Sequence, residues 1–243
     1  MIEISDLYKS FGSKKVLNGV NLRIEKGKTL VIIGRSGEGK SVLIKHIVGL
    51  LIPDAGYVKV ENKIVSELDT NSLYELRKKF GFLFQGAALF DSMTVEENVT
   101  LPLVESGNGI SSAEIKKAAA EKLELVGLPG IQKLKPAELS GGMKKRVGLA
   151  RALITNPDYI LYDEPTTGLD PIMSDSIDSL IKELSNKLNV TSVVVTHDMY
   201  SVKNVADNVA MMHEGRIFFT GTPEELLQSQ NPVIIDFIKR TGI

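Results

Sequence analysis

The sequence predicts an α/β fold with one helical block set into it, and three observations carry that reading. The first is Gly34-Arg35-Ser36-Gly37-Glu38-Gly39-Lys40-Ser41. It lies between an apolar, β-branched run at residues 28–33 and a stretch in which Val42, Leu43, Ile47, Val48 and Leu51 fall at helical spacing. The second is the return of apolar strands and amphipathic helices in alternation after about residue 155, the pattern of a parallel sheet with helical crossovers. The third is the stretch between them, residues 87–154, which reads as helix and predicts an insertion into a single α/β body.

Taken in order, residues 1–33 are β-rich, with Ile2 and Ile4, then Val20, Leu22 and Ile24, alternating with polar neighbours. Pro53-Asp54-Ala55-Gly56 marks a turn, and Tyr57-Val58-Lys59-Val60 is expected to rejoin the first sheet, giving an antiparallel β region. A short helix is expected over 71–79, then the strand Phe80-Gly81-Phe82-Leu83-Phe84. Ser111-Ser112-Ala113-Glu114 is a capping box, and Ile115, Ala118, Ala119, Lys122, Leu123 and Val126 form one face of the helix it opens. Gly127 and Pro129 end that helix, and another is expected from Ser140-Gly141-Gly142 to Ile154. Tyr159-Ile160-Leu161-Tyr162 is a buried strand. Met173, Ile177, Leu180, Ile181, Leu184 and Leu188 trace an amphipathic helix, and Ser192-Val193-Val194-Val195-Thr196 is the next strand. Residues 208–213 and 216–220 read as a hairpin around Glu214-Gly215, and residues 223–243 as a C-terminal helical tail.

Composition narrows the class. Hydrophobic residues make up 43% and charged residues 24%, as in an ordinary soluble protein. The net charge of −1 gives no electrostatic case for nucleic acid. Cysteine is absent, which excludes disulfides and thiolate metal sites. No apolar run reaches the ~18–20 residues that span a bilayer, and the acidic, alternating N-terminus lacks the pattern of a signal peptide. The expectation is a cytoplasmic protein that acts on a membrane only through a partner chain.

The glycine stretch fits G-x-x-x-x-G-K-[ST], a phosphate-binding loop. Its glycines let successive N–H groups turn inward, and the following helix adds partial positive charge. Lys40 is placed to reach outer phosphates, and the Ser41 hydroxyl to ligate Mg²⁺. Asp163-Glu164 follows an apolar strand, where the first carboxylate can hold Mg²⁺ and the second can orient or deprotonate water. His197, at the end of another strand, either contacts a γ-phosphate or is an ordinary polar residue. Gln85 either holds the nucleophilic water or Mg²⁺, or caps a turn. Ser140-Gly141-Gly142 opens a helix, and reads either as a second anion site or as a plain N-cap.

In that order behind the phosphate loop, Gln85, Leu139-Ser140-Gly141-Gly142, Tyr159 to Glu164, Gly168-Leu169-Asp170 and His197 resemble the nucleotide-binding subunits of ABC transporters, from about residue 2 to residue 222. The resemblance implies a RecA-like P-loop NTPase core with an antiparallel β subdomain and an inserted helical subdomain, over residues 1–222. It implies ATP as nucleotide, with Mg²⁺, bound by residues 34–42 (Gly34 through Val42). Ser140, Gly141 and Gly142 become a signature motif that closes over the ATP of a second copy, so the implied assembly is a homodimer around two ATP. Glu164, His197 and Gln85 take the catalytic positions, and Ser41, Gln85 and Asp163 those around the metal. Phe11 falls where an aromatic stacks on adenine, although Tyr8 is close by. The signature usually ends in Gln, and Met143 here offers no donor.

The motif flanks are similar to the ATPase subunits of Mla and other Mce-type phospholipid transporters. They include Phe84-Gln85-Gly86-Ala87-Ala88-Leu89-Phe90 and Ser140-Gly141-Gly142-Met143-Lys144-Lys145-Arg146. That likeness implies an integral membrane permease partner, a lipid-binding Mce-type protein as a further partner, and a peripheral place on the cytoplasmic face of the inner membrane. The implied task is phospholipid transport linked to outer-membrane lipid asymmetry. A permease for a small solute such as an amino acid is the first alternative. A soluble ABC-type ATPase and a regulator without turnover are the others. The permease is expected to dock beside Gln85, on residues 86–98, with Phe90, Met93 and Val95 as apolar contacts.

Overall fold

The computed structural model describes residues 1–106 and 109–241. Residues 107–108 of the predicted helical block and 242–243 of the predicted tail lie outside the described residues. The chain opens with the hairpin β1 (Ile2–Phe11) and β2 (Lys14–Ile24), then β3 (Thr29–Ile33), and passes through the glycine loop into α1 (Lys40–Ile47). β4 (Ala55–Val60), β5 (Lys63–Ile64), α2 (Thr70–Lys78) and β6 (Phe80–Leu83) follow. Three helices come next: α3 (Val95–Glu105), α4 (Ser112–Leu125) and α5 (Gly141–Leu153). Alternation then resumes through β7 (Tyr159–Asp163), α6 (Pro171–Leu188), β8 (Thr191–Val195), α7 (Met199–Val205), β9 (Asn208–His213) and β10 (Arg216–Gly221), ending in α8 (Pro223–Leu227) and α9 (Pro232–Arg240).

Two sheets result. The small one, ordered β2-β1-β4-β5, is antiparallel throughout, so residues 57–60 do rejoin the first strands. The large one is ordered β10-β9-β3-β8-β7-β6, with parallel pairs from β9 to β6 and the antiparallel hairpin strand β10 at its edge. β3, β7 and β8 are buried on both faces, which is why they read as continuous apolar runs.

The period of two along these strands divides the core. Val31 and Ile33, with Ile160, Tyr162 and Val194, face the inserted helices, α6 and α7. Leu30 and Ile32, with Leu161 and Val193, face α1 and the small sheet. Parallel strands end at one edge of such a sheet, and the loops after β3, β7 and β8 collect there. The capping box forms as expected at α4, where the Ser111 and Glu114 side chains each satisfy the other's backbone N–H.

One expectation changes, and two gain detail. Val95 is not an exposed docking contact: it is fully buried in the first turn of α3, and its N–H donates to the Leu134 carbonyl at 2.8 Å. A turn-rich approach with an apolar residue looks the same in sequence whether that residue points out or in. The amphipathic helix forms as α6, with Met173 and Leu188 at the two ends of its apolar stripe partly exposed. The C-terminal tail is two helices broken at Gln228–Asn231, anchored to the main core by Leu226, Ile234 and Phe237.

Candidate functional site

The glycine loop bends between β3 and α1 as its composition requires. Gly39 holds φ 98° directly before α1, and a Cβ there would lie 2.9 Å from the Val16 carbonyl oxygen of β2. Only glycine satisfies both the dihedral and the close approach. The first helical bond of α1 runs from Leu43 N–H to the Gly39 carbonyl at 2.8 Å. The N–H groups of Lys40, Ser41 and Val42 precede it, so they end the helix as donors with the positive pole of its dipole. Lys40 is 5% exposed, and its Nζ donates to the carbonyls of Gly34 (2.8 Å) and Arg35 (3.1 Å). Burial lowers its pKa, while Glu164, Glu38 and Asp163 oppose that shift. Glu38 accepts from the Arg35 N–H at 3.2 Å, which tightens the loop from within.

β7 brings the two carboxylates to this loop. Ser41 Oγ donates to Asp163 Oδ1 at 2.6 Å, joining residues 122 positions apart. Glu164 sits at φ 50°, a left-handed conformation that costs a non-glycine residue about 1–3 kcal/mol. The neighbourhood enforces it: the Glu164 N–H donates to the Val195 carbonyl at 2.9 Å. Its Oε2 accepts from Thr167 Oγ1 at 3.0 Å and lies 2.8 Å from His197 Nδ1. An ionised carboxylate can only accept, so His197 donates through Nδ1 and keeps Nε2 for another partner. Oε1 of Glu164 lies 3.8 Å from Lys40 Nζ and is the less encumbered oxygen.

Arg35, Ser36, Gln85, Glu164 and His197 line one cavity of about 270 Å³. The structure thus brings together the phosphate loop, Asp163, Glu164, His197 and Gln85. Phe11 stands exposed at the end of the β1–β2 hairpin, under the Lys9 ammonium at 5.7 Å, and the same hairpin packs Val16 against Gly39. Tyr8 turns its hydroxyl toward Gly19. Ser140, Gly141 and Gly142 are not among the residues lining that cavity. Ser140 caps α5 by accepting from the Met143 N–H at 3.3 Å, and Gly142 fits against Met173, whose sulfur a Cβ would meet at 3.1 Å. Met143 packs on the core.

Sequence reasoning missed several participants. Lys145, one turn into α5, is 5% exposed and donates to the backbone carbonyls of Gln85 and, at 3.2 Å, Glu164. It ties the two catalytic candidates to the helix that Ser140 opens. The available signal was a lysine on the stripe of Gly142, Gly148 and Leu149, where an unpaired charge would be costly. Burial lowers its pKa against the pull of Asp163 and Glu164. Asn98 is fully buried and holds the loop after Gln85 through Phe90 N–H (2.8 Å) and the carbonyls of Phe90 and Thr94 (3.1 and 3.0 Å). Arg151 clamps the same loop at the Ala87 and Ala88 carbonyls (2.5 and 2.7 Å). From α9 and its C-cap, Phe237, Arg240 and Thr241 reach the cavity of Glu164, and Asp236 pairs with Arg35 at 2.5 Å.

Mg²⁺ can be tested against the donors present. Among the described residues no group of three or more His, Cys, Asp or Glu side chains is placed to hold a metal ion. A hydroxyl and a carboxylate 2.6 Å apart at the start of α1 offer the hard oxygens that suit Mg²⁺ when phosphate and water complete its shell. The donor set fits.

Comparison with known proteins agrees with this geometry. The model of the family described as ABC transporter matches residues 17–167. The intermembrane phospholipid transport system ATP-binding protein MlaF of Haemophilus influenzae is 41% identical over 239 residues, covering 98% of this chain and 90% of that protein. The probable ribonucleotide transport ATP-binding protein mkl of Mycobacterium leprae is 42% identical over 237 residues, 98% of this chain and 68% of that protein. The methionine import ATP-binding protein MetN of Rhizobium johnstonii is 42% identical over 221 residues, 91% of this chain and 60% of that protein. Among solved structures, the dimeric ATP-binding cassette MJ0796 in a post-hydrolysis state with ADP and Pi superposes with a TM-score of 0.84 at 35% identity, covering 92% of this chain and 99% of that one.

Proposed function

The chain belongs to the ABC transporter family and its reaction is ATP hydrolysis, and from that premise we propose that it is the ATPase subunit of a phospholipid transporter. The observation that carries the lipid reading is the likeness to the phospholipid ATPase, which runs through 98% of this chain and 90% of that protein, whereas the match spans 68% of the ribonucleotide ATPase and 60% of the methionine ATPase. The shared flanks around Gln85 and Ser140 support the same reading.

In the proposed mechanism the phosphates of ATP lie on the N–H groups of residues 34–42. Lys40 exchanges its bonds with the Gly34 and Arg35 carbonyls for outer phosphate oxygens. Ser41, Asp163 and Gln85 would hold Mg²⁺, which neutralises phosphate charge when bound. Glu164 Oε1 accepts the proton of the attacking water, while His197 Nδ1 and Thr167 hold Oε2 and fix the carboxylate. His197 Nε2 is then the nitrogen that faces the γ-phosphate. A positioned general base contributes about 10²–10⁴ in rate. Phe11 supports adenine. The Ser140 turn, which does not line the cavity of its own chain, serves the nucleotide of a second copy, as the dimeric state of MJ0796 supports.

Among the described residues no helix is long and apolar enough to cross a membrane, so coupling needs a permease. A groove of about 720 Å³ runs between α3 and β6, with Tyr74, Phe82, Phe84, Phe90 and Leu101 among its walls. Phe82 and Phe84 stack at 4.2 Å, and Phe90 is half-exposed at the rim. Because Asn98 and Arg151 fix the loop between Gln85 and Phe90, a permease helix seated there reports mechanically to Gln85. Purification of the native complex tests the reading, with mass spectrometry of its chains and lipids. A permease carrying phospholipid is expected. A permease whose complex carries an amino acid and no lipid would overturn the cargo and leave the ATPase assignment intact.

A further inference from the structure

The helix α9 supplies part of the wall of the cavity that holds Glu164 and His197. Ile234 and Phe237 anchor it in the main core, and Phe237 and Arg240 line the cavity together with Arg35 of the phosphate loop. One carboxylate joins the two arginines. Asp236 Oδ2 accepts from Arg35 Nη2 at 2.5 Å, and Oδ1 accepts from Arg240 Nε at 2.8 Å. The Arg240 bond, with help from Arg35, holds the Asp236 carboxyl below the usual carboxylate range, so both bonds are charge-assisted near neutral pH. Asp236 is not among the described residues lining the cavity, so it grips both guanidiniums from outside it. Among the described residues it is the hydrogen-bond partner of each, through one nitrogen apiece. A guanidinium carries five N–H donors, so Nη1 of Arg35 and both terminal nitrogens of Arg240 keep theirs. The backbone of Arg35 is also tethered, its N–H to Glu38 at 3.2 Å and its carbonyl to Lys40 at 3.1 Å. If Lys40 leaves that carbonyl for a phosphate, Glu38 and Asp236 still hold Arg35 in place.

We propose that Arg240 is a further ligand of the terminal phosphate of the nucleotide, acting beside Arg35, and that Asp236 is the residue that positions both. The inference rests on the ATPase reading above. There the N–H groups that open α1 hold the inner phosphates, while Glu164 and His197 mark the end where the terminal phosphate and the attacking water sit. Arg240 lines the cavity at that end. Its described lining holds one acid, Glu164, against two arginines, so an added terminal phosphate is favoured by charge. The planar, permanently charged fork of a guanidinium matches two phosphate oxygens at once. ADP places no group there. Arg240 therefore distinguishes the substrate from the product, and the C-terminal tail is part of the nucleotide site.

The test measures, by calorimetry on the full chain, binding of ADP and of the non-hydrolysable β,γ-imido analogue of ATP, each with Mg²⁺. Sedimentation in parallel follows association of the chains. Arg240→Gln changes a side chain that is 71% exposed at the last position of α9, where the fold tolerates it. It should weaken the triphosphate roughly three- to tenfold and leave ADP unchanged, the exposure keeping the loss below that of a buried charged bond. Arg240→Lys keeps the charge without the fork and should recover part of the loss. Asp236→Asn should weaken the triphosphate roughly two- to threefold with ADP again unchanged, and Asp236→Glu should restore it. Equal losses for both nucleotides, or undiminished triphosphate binding by folded Arg240→Gln, would overturn the proposal. So would a loss confined to association of the chains, which would place Arg240 against the second copy. Lys40→Ala separates the proposal from its premise. If Lys40→Ala weakens the triphosphate and Arg240→Gln does not, the role of Arg240 alone is overturned; if neither does, the phosphate-loop reading falls with it.

Discussion

The phosphate loop and the Ser140 turn are both helix N-termini approached through small residues, yet the fold treats them in opposite ways. The loop is braced from several directions. Lys40, Asp163 and Glu164 are buried around it, and β2, β7 and β8 all contribute bonds or contacts. Ser140 and Gly141 are exposed, and the Ser140 side chain is engaged by one N–H of its own helix. The first is a half-site supported by its own chain. The second is rigid from below, through Lys145 and Met173, and open above. Equal local chemistry thus fits the two proposed purposes: one turn to hold phosphate in place, the other to meet the surface of a second copy.

The sharpest attempt to break that comparison is Glu164→Gln. It preserves shape and removes the base, so hydrolysis should fall by about 10²–10⁴ while ATP binding persists and the ATP-bound dimer accumulates. Steady-state turnover and size-exclusion with ATP read both. Undiminished turnover would move the base elsewhere in the cavity. Ser140→Arg should suppress hydrolysis almost as far, by blocking the approach of the second copy, and leave binding to the isolated chain within about twofold, less than 0.5 kcal/mol. Loss of both functions in a folded variant would make the two turns one site and end the contrast.

Lys40→Ala removes a charge-assisted hydrogen bond, so ATP affinity should drop roughly tenfold or more. Calorimetry of nucleotide binding checks it, and a native affinity would detach Lys40 from phosphate. Lys145→Met keeps the stem and strips the ammonium from two carbonyls. Stability should fall by about 1–3 kcal/mol in denaturant titration, with turnover reduced because Gln85 and Glu164 lose their common tether. A stable variant with normal turnover would show that the two half-sites are mechanically independent. The smallest expected effect is that of Phe90→Asp, which should leave the ATPase of the free subunit unchanged and weaken capture of the permease.

Much of this was legible along the chain because the relevant chemistry is contiguous. Residues 34–41 fit the phosphate-loop pattern as eight residues in a row, so the proposed site is read from neighbours alone. Asp163 and Glu164 announce themselves by ending an apolar strand, and the capping box of α4 is a four-residue device. Val95 was misread for the opposite reason. Burial of a single apolar residue in a turn depends on what lies across from it, here the loop at Leu134, and its neighbours carry no trace of that.

What the sequence by itself determined was the kind of fold, the phosphate loop and the order of its accessory motifs, all of which rest on periodicity or on adjacent residues. What only the tertiary structure decided was how those parts are joined. Lys145 reaches back 60 positions to Gln85, Asp236 crosses 201 positions to Arg35, and His197 meets one particular oxygen of Glu164. Such contacts depend on helix orientation and strand order, which no local pattern encodes. A lysine on a buried stripe has no visible partner until the two strand-end loops are folded against it.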